Sequence, residues 1–184
     1  MKFTETKLKG AFIIELEERA DSRGFFARTY CQNEFAQYNL NINVRQCNLS
    51  FNYTKGTIRG MHYQIPPATE SKLVRCTQGA IYDAIVDMRP DSPTYMSSIG
   101  VELTADNHLA LYVPEMFAHG YQTLTDGAEV VYQVNEFYTP GYERGLRYND
   151  PALDIKWPLP VSEISDKDAS WALLQETVYA GSVV

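Results

Sequence analysis

Arg45-Gln46-Cys47-Asn48-Leu49-Ser50-Phe51 alternates in polarity along its length. Successive side chains of a strand point to opposite faces, so Cys47, Leu49 and Phe51 share one face and Gln46, Asn48 and Ser50 the other. An exposed strand produces this pattern, and so does the wall of a polar pocket. Working outward, strands are expected over 10–16, 71–76, 80–88, 97–103, 108–113, 119–124 and 129–136. The breaks between them carry turn chemistry, as in Gln78-Gly79, Arg89-Pro-Asp-Ser-Pro93 and Thr125-Asp-Gly127. Many short strands at this spacing predict an all-β antiparallel sandwich or closed barrel, the jelly-roll class included.

Two segments break the pattern. Asn33 to Tyr38 reads as a short helical turn capped by Asn33. The tail reads as a polar turn leading into a helix from Asp168 to Val178, packed through Trp171, Leu173 and Leu174. No internal repeat or clean domain boundary divides residues 1–184, so a single domain is expected.

The chain has 184 residues and a formal net charge of −7, with 23 acidic against 16 basic side chains. A nucleic-acid binder carries a clustered basic excess, so nucleic acid is not expected as a partner. Arg19, Arg23, Arg28, Arg59, Lys72 and Arg75 do gather in the first half, which leaves room for a pocket that accepts a small anion. No apolar run approaches the ~18 residues of a membrane span and the N-terminus lacks a signal segment, so a cytoplasmic location is expected. Cys31, Cys47 and Cys76 form neither a CxxC pair nor an even framework and read as reduced thiols.

The chemistry-bearing candidates begin with the three histidines, His62, His108 and His119. His62 stands in Arg59-Gly-Met-His-Tyr-Gln64, ahead of Pro66-Pro67 and Lys72. A neutral imidazole takes a proton near neutral pH, and Arg59 and Lys72 either stabilise the resulting negative charge or are solvated strand cations. Arg59 and His62 have opposite strand parity, as do Lys72 and Arg75. For both members of a pair to reach one cavity the backbone must bend or bulge, which Gly60 permits. Tyr132 lies between Val130 and Val134 on one face; it is either a packing residue or a hydroxyl placed for proton transfer. The histidine spacing lacks HxxxH or CxxC grouping, so no metal is expected. Walker, GxGxxG and GxSxG motifs are absent as well.

The segments Asp21-Ser-Arg-Gly-Phe-Phe26, Gly56-Thr-Ile-Arg-Gly-Met-His-Tyr-Gln64, Lys72-Leu-Val-Arg75, Pro114-Glu-Met-Phe-Ala-His-Gly120 and Ser165-Asp-Lys-Asp168 occur in that order. In this the chain resembles the dTDP-4-dehydrorhamnose 3,5-epimerases over nearly its whole length. The resemblance implies a cupin-like jelly-roll barrel with short peripheral and C-terminal helices. It implies cofactor-independent epimerisation at carbons 3 and 5 of a 4-keto-6-deoxyhexose carried on a nucleoside diphosphate. His62 then corresponds to the base, Asp168 to its orienting carboxylate, Tyr132 to the acid on the opposite face, and Lys72 to the group that stabilises the enolate. Arg59 and His119 correspond to residues that hold the sugar nucleotide, Tyr138 to an aromatic that stacks on the base, and Arg23, Gln46, Asn48, Glu143 and Lys167 to further binding positions. Arg28 stands where the family commonly has Glu, reversing charge at the expected nucleotide end. The resemblance also implies a homodimer in which one subunit's N-terminal segment completes the other's pocket. Two other readings accompany this one: a mono-epimerase acting at carbon 3 or 5 of a related sugar, and a jelly-roll binding protein without catalysis.

Overall fold

The computed structural model describes residues 1–40 and 43–174. In chain order its elements are β1 (Lys2–Glu5), β2 (Phe12–Glu15), β3 (Arg19–Asp21), β4 (Gly24–Phe26), α1 (Gln32–Ala36), β5 (Gln46–Asn52), β6 (Ile58–Gln64) and β7 (Lys72–Gln78). They continue with β8 (Ala80–Asp87), β9 (Ser98–Thr104), β10 (Ala110–Val113), β11 (Phe117–Thr123), β12 (Ala128–Val134), β13 (Glu143–Gly145) and α2 (Asp166–Ala169). A six-stranded sheet in the order β1-β2-β10-β7-β12-β5 faces a five-stranded sheet in the order β13-β6-β11-β8-β9. This is the expected all-β jelly roll, and every pairing within the two sheets is antiparallel.

Three apolar clusters hold the layers together. Val74, Ile81, Ile85, Leu111 and Val130 meet between the sheets. Phe12, Ile14, Leu73 and Tyr112 cover the outer face of the six-stranded sheet beneath Phe35 of α1. Met61, Val86, Ala118 and Leu153 seal the outer face of the five-stranded sheet.

The alternation that predicted β5 is present, but with the polar face turned inward. Gln46, Asn48 and Ser50 are half-buried, whereas Cys47, Leu49 and Phe51 are exposed, Leu49 by 62%. Of the two structures consistent with the sequence, the pocket wall is the one formed. A polar inner face is stable here because water and ligand can reach it, so its hydrogen-bonding groups need not be desolvated.

β6 was not among the expected strands, because Arg59-Gly-Met-His alternates with neither period. His119 of β11 lies opposite His62, while Tyr121 lies opposite Arg59, so β6 carries one extra residue across that interval. The bulge turns Arg59 and His62 to the same side despite their odd spacing, as their parity demanded. Gly60 makes it possible: its φ is +112°, and an added Cβ would stand 2.6 Å from Gly120 Cα and 2.7 Å from the His119 carbonyl oxygen. Lys72 and Arg75 have no such device. β7 is regular there, so Lys72 faces the inter-sheet space and Arg75 turns to the opposite face, where it donates to the His108 carbonyl.

Both expected helices need correction. α1 begins at Gln32 with Cys31 as its N-cap, which makes no side-chain bond; Asn33 lies inside the helix. α2 starts earlier than expected, being capped by Ser165, and it ends at Ser170; Leu174 is helical again. Beyond it, Trp171 lies against Gly145, where an added Cβ would come within 2.0 Å of the indole. Residues 171–173 are not helical. The expected continuation to Val178 lies outside the described residues.

Asp87, at the end of β8, anchors the turn that follows. Its carboxylate accepts from Arg89 Nε at 2.9 Å, Ser92 Oγ at 2.5 Å and Thr94 Oγ1 at 2.6 Å. Burial alone would raise its pKa, but these bonds outweigh burial and lower it from 3.8 to about 2. A depressed carboxylate stabilises the fold above its unfolded pKa, and that contribution is lost as pH falls from 3.8 through about 2. Asp87→Asn is therefore expected to cost on the order of 2 kcal/mol at neutral pH and to flatten the acid limb of stability. Urea unfolding measured across that pH window checks it; an unchanged acid limb would contradict the assignment.

Candidate active site

A cavity of about 910 Å³ opens between the sheets. The bulged strand β6 sends Arg59 and His62 into it, β11 sends His119 and Tyr121, and the opposite sheet contributes Lys72 from β7, Tyr132 from β12 and Ser50 from β5. Lys167 and Asp168 of α2 close one side.

His62 Nε2 lies 2.6 Å from Asp168 Oδ1. The other oxygen of Asp168 accepts the Gly60 N–H at 3.1 Å, so the bulge and the carboxylate hold each other. Burial raises the Asp168 pKa, but the bonds from His62 and Gly60 outweigh burial and leave it below the usual carboxylate range. An ionised carboxylate only accepts, so Nε2 carries the hydrogen and Nδ1 is left for a ligand.

A second such pair lies beside the first. His119, the direct cross-strand partner of His62, places Nε2 at 2.7 Å from Asp83 Oδ1. Asp83 is fully buried, and among the described residues its Oδ2 has no hydrogen-bond partner. Asp83 was not among the candidates named from the sequence. The signal available was a carboxylate inside the apolar run from Ala80 to Val86, since a buried charge requires a partner.

Tyr132 faces the histidines from the other sheet. Burial is the largest influence on its phenol and raises its pKa; Tyr121 and Glu70 push the same way and Arg59 opposes them. Tyr132 therefore keeps its proton across the neutral range. Arg59 is held by Asn52, whose Oδ1 accepts from Nε at 2.7 Å, and Asn52 Nδ2 donates to Tyr121 Oη at 3.2 Å. Lys72 is buried and ion-paired with Glu70. The sequence reading missed Asn52, Tyr121 and Glu70.

At the rim, the Tyr138 N–H donates to Gln46 Oε1 at 3.0 Å, and Lys167 Nζ donates to Glu143 Oε2 at 2.5 Å. Tyr138 Oη also approaches that Glu143 oxygen, at 3.4 Å, and the residue is 58% exposed. Buried Gln64 fixes this edge. Its amide donates to the carbonyls of Ala68 and Phe137 and accepts from the Thr139 N–H at 2.7 Å. Asn48 is half-buried on the inward face of β5, opposite Tyr132.

The structure does not bring Arg23 and Arg28 to this cavity. Arg23 pairs with Asp21 in the exposed β3–β4 hairpin, and Arg28 pairs with Glu34 at 3.0 Å. Both lie on the segment between β2 and β5, outside the two large sheets. Among the described residues no group of three or more His, Cys, Asp or Glu side chains is arranged to hold a metal ion, and no helix is long and apolar enough to cross a membrane.

Moving protons on a ligand held among cations is the chemistry these groups share, and on a jelly-roll scaffold it defines the cupin-like acid–base epimerases. The profile of the dTDP-4-dehydrorhamnose 3,5-epimerases matches residues 5–176, and the chain belongs to that family. An enzyme of that name from Shigella flexneri is 40% identical over 169 residues, covering 91% of this chain and 93% of its own. The crystal structure of a dTDP-4-dehydrorhamnose 3,5-epimerase from Bacillus anthracis with TDP and PPi bound superposes with a TM-score of 0.89 at 41% identity, covering 94% of this chain and 99% of that one. A dTDP-4-dehydrorhamnose 3-epimerase from Streptomyces niveus is 34% identical over 182 residues, covering 98% and 87%.

Proposed function

We propose that this chain is a cofactor-independent epimerase that converts dTDP-4-dehydro-6-deoxy-D-glucose to dTDP-4-dehydro-L-rhamnose. The observation that carries this reading is the projection of His62 and Tyr132 from opposite sheets into one cavity. Carbons 3 and 5 of the sugar flank its 4-keto group, so loss of either hydrogen gives an enolate. His62 takes that proton through Nδ1 while Asp168 stabilises the imidazolium. Lys72 supports the charge gathering on the keto oxygen. Tyr132 returns a proton to the opposite face of the same carbon, inverting it, and solvent restores both side chains.

Arg59 and His119 hold the diphosphate, while Tyr138 stacks on the base beside Gln46, Asn48, Glu143 and Lys167. Arg23 and Arg28 act from a second copy. The exposed hairpin with Phe25 and Phe26, and the outward apolar residues Leu49, Phe51 and Tyr53, support a homodimer in which each hairpin reaches its partner's cavity. The enzyme would act in the cytoplasm.

A second reading, epimerisation at one carbon only, is favoured by Arg28, which reverses the charge common in the family, and by the likeness to a 3-epimerase. Turnover of dTDP-4-keto-6-deoxyglucose in heavy water without added metal or NAD, followed by NMR, separates the two. Deuterium at carbons 3 and 5 with inversion at both is expected. Persistent protium at one carbon supports the second reading, and no exchange at either overturns both.

A further inference from the structure

Glu70 has no part in the mechanism above, yet the residues on either side of it are held in place. It lies on the connection between β6 and β7, which is fastened at three points. Gln64 Nε2 donates to the Ala68 carbonyl at 3.0 Å, Thr69 Oγ1 to Glu115 Oε2 at 2.7 Å, and the Ser71 N–H to Asn135 Oδ1 at 2.7 Å. From that frame the Glu70 carboxylate receives the Lys72 ammonium, with side-chain exposures of only 14% and 9%. A lysine head on four rotatable carbons has no preferred position of its own, so a neighbouring carboxylate decides where it stands.

We propose that Glu70 is a positioning residue of this site: it fixes the Lys72 ammonium at the cavity wall, where Tyr132 of the neighbouring strand also projects. The inference rests on the acid–base reading of the cavity. Tyr132 lines the cavity with Tyr121 of β11, Arg59 of β6, Lys72, His62 and His119, and the charge of Glu70 on the loop also acts on its phenol. Burial raises the phenol most, Tyr121 next and Glu70 after it, against Arg59. Neutralising Glu70 removes an anion that opposes phenolate formation and leaves the Lys72 charge unopposed. Both changes make the phenolate easier to form.

The test is Glu70→Gln, which keeps the shape and removes the charge. The Tyr132 phenol is titrated by ultraviolet difference absorbance, its signal isolated by subtracting a Tyr132→Phe variant in each background. The titration is expected to move to lower pH in Glu70→Gln, and the alkaline limb of solvent-isotope exchange to move with it. Exchange at neutral pH is expected to fall roughly 10- to 100-fold, the usual range for partners that orient a working group. Glu70→Asp, which retains the charge, is expected to restore the alkaline limb. An unmoved phenol titration with only a lowered melting temperature would overturn the proposal, leaving Glu70 as a structural ion-pair partner. Should Glu70→Gln not fold, the Glu70→Gln/Lys72→Met pair removes both charges, and its phenol is expected to shift the same way relative to Lys72→Met; an unshifted phenol there overturns the proposal as well. The optical titration needs no turnover, so it still decides the role of Glu70 if the wild-type protein exchanges no hydrogen.

Discussion

His62→Ala is expected to lower hydrogen exchange at the sugar by 10²- to 10⁴-fold, roughly the contribution of a positioned general base. That corresponds to about 3–5 kcal/mol of barrier. Binding of dTDP is expected to change by only about twofold, because His62 is paired with Asp168 rather than with the rim residues that would meet the nucleotide. The split between exchange and affinity is the informative result. His62 is one-third exposed as a side chain, so its removal leaves a water-accessible gap and not a buried void. Calorimetric binding of dTDP combined with deuterium uptake measures both quantities. Exchange at the wild-type rate would remove His62 from the base role, and equal losses of binding and exchange would make it a binding residue.

The largest structural effect is expected from Gly60→Ala. An alanine at φ +112° is strained in itself, and its methyl would lie 2.6 Å from Gly120 Cα and 2.7 Å from the His119 carbonyl, both backbone atoms that cannot swing aside. A cost of about 2–4 kcal/mol follows, roughly 5–15 °C in melting temperature for a chain of this size. Exchange should fall as well, because the Gly60 N–H holds Asp168, and the same bulge turns Arg59 and His62 inward. Gly24→Ala separates the two causes. Gly24 has φ +131° but nothing within 4 Å of an added Cβ, so only the backbone strain is paid, about 1 kcal/mol. Differential scanning of both variants decides the matter, and equal melting shifts would show that the close contact at Gly60 costs nothing.

Much of the barrel was legible because most of its strands obey one rule at a time. β8 is a buried apolar run and β5 a clean alternation, and both were found. The side that β5 buries was not decidable locally, since it depends on a cavity formed by residues far away in sequence. β6 was hidden because its bulge breaks the alternation that marks a strand, and the same irregularity turns both Arg59 and His62 into the cavity. The starts of the short helices were misplaced because α1 begins after Cys31 without a side-chain cap and α2 is capped by Ser165, ahead of the Asp168 from which the helix was expected. Within the site, residue type and family motif indicated His62, Tyr132, Lys72 and Asp168 as candidates, and the cavity brings all four together. Asp83, Asn52 and Glu70 act on other side chains, and that relation is written only in three dimensions.

Gln64 stands two residues beyond His62 on the same strand and grips the segment that carries Tyr138. On a β-strand that offset is about 7 Å of stiff backbone. In the function proposed above, the support of the stacking ring and the proton-abstracting histidine are thus marks on a single ruler. A sugar nucleotide seated at the rim would be read at a fixed distance, and a nucleoside monophosphate sugar, with its shorter bridge, is expected to exchange hydrogen more slowly than the diphosphate.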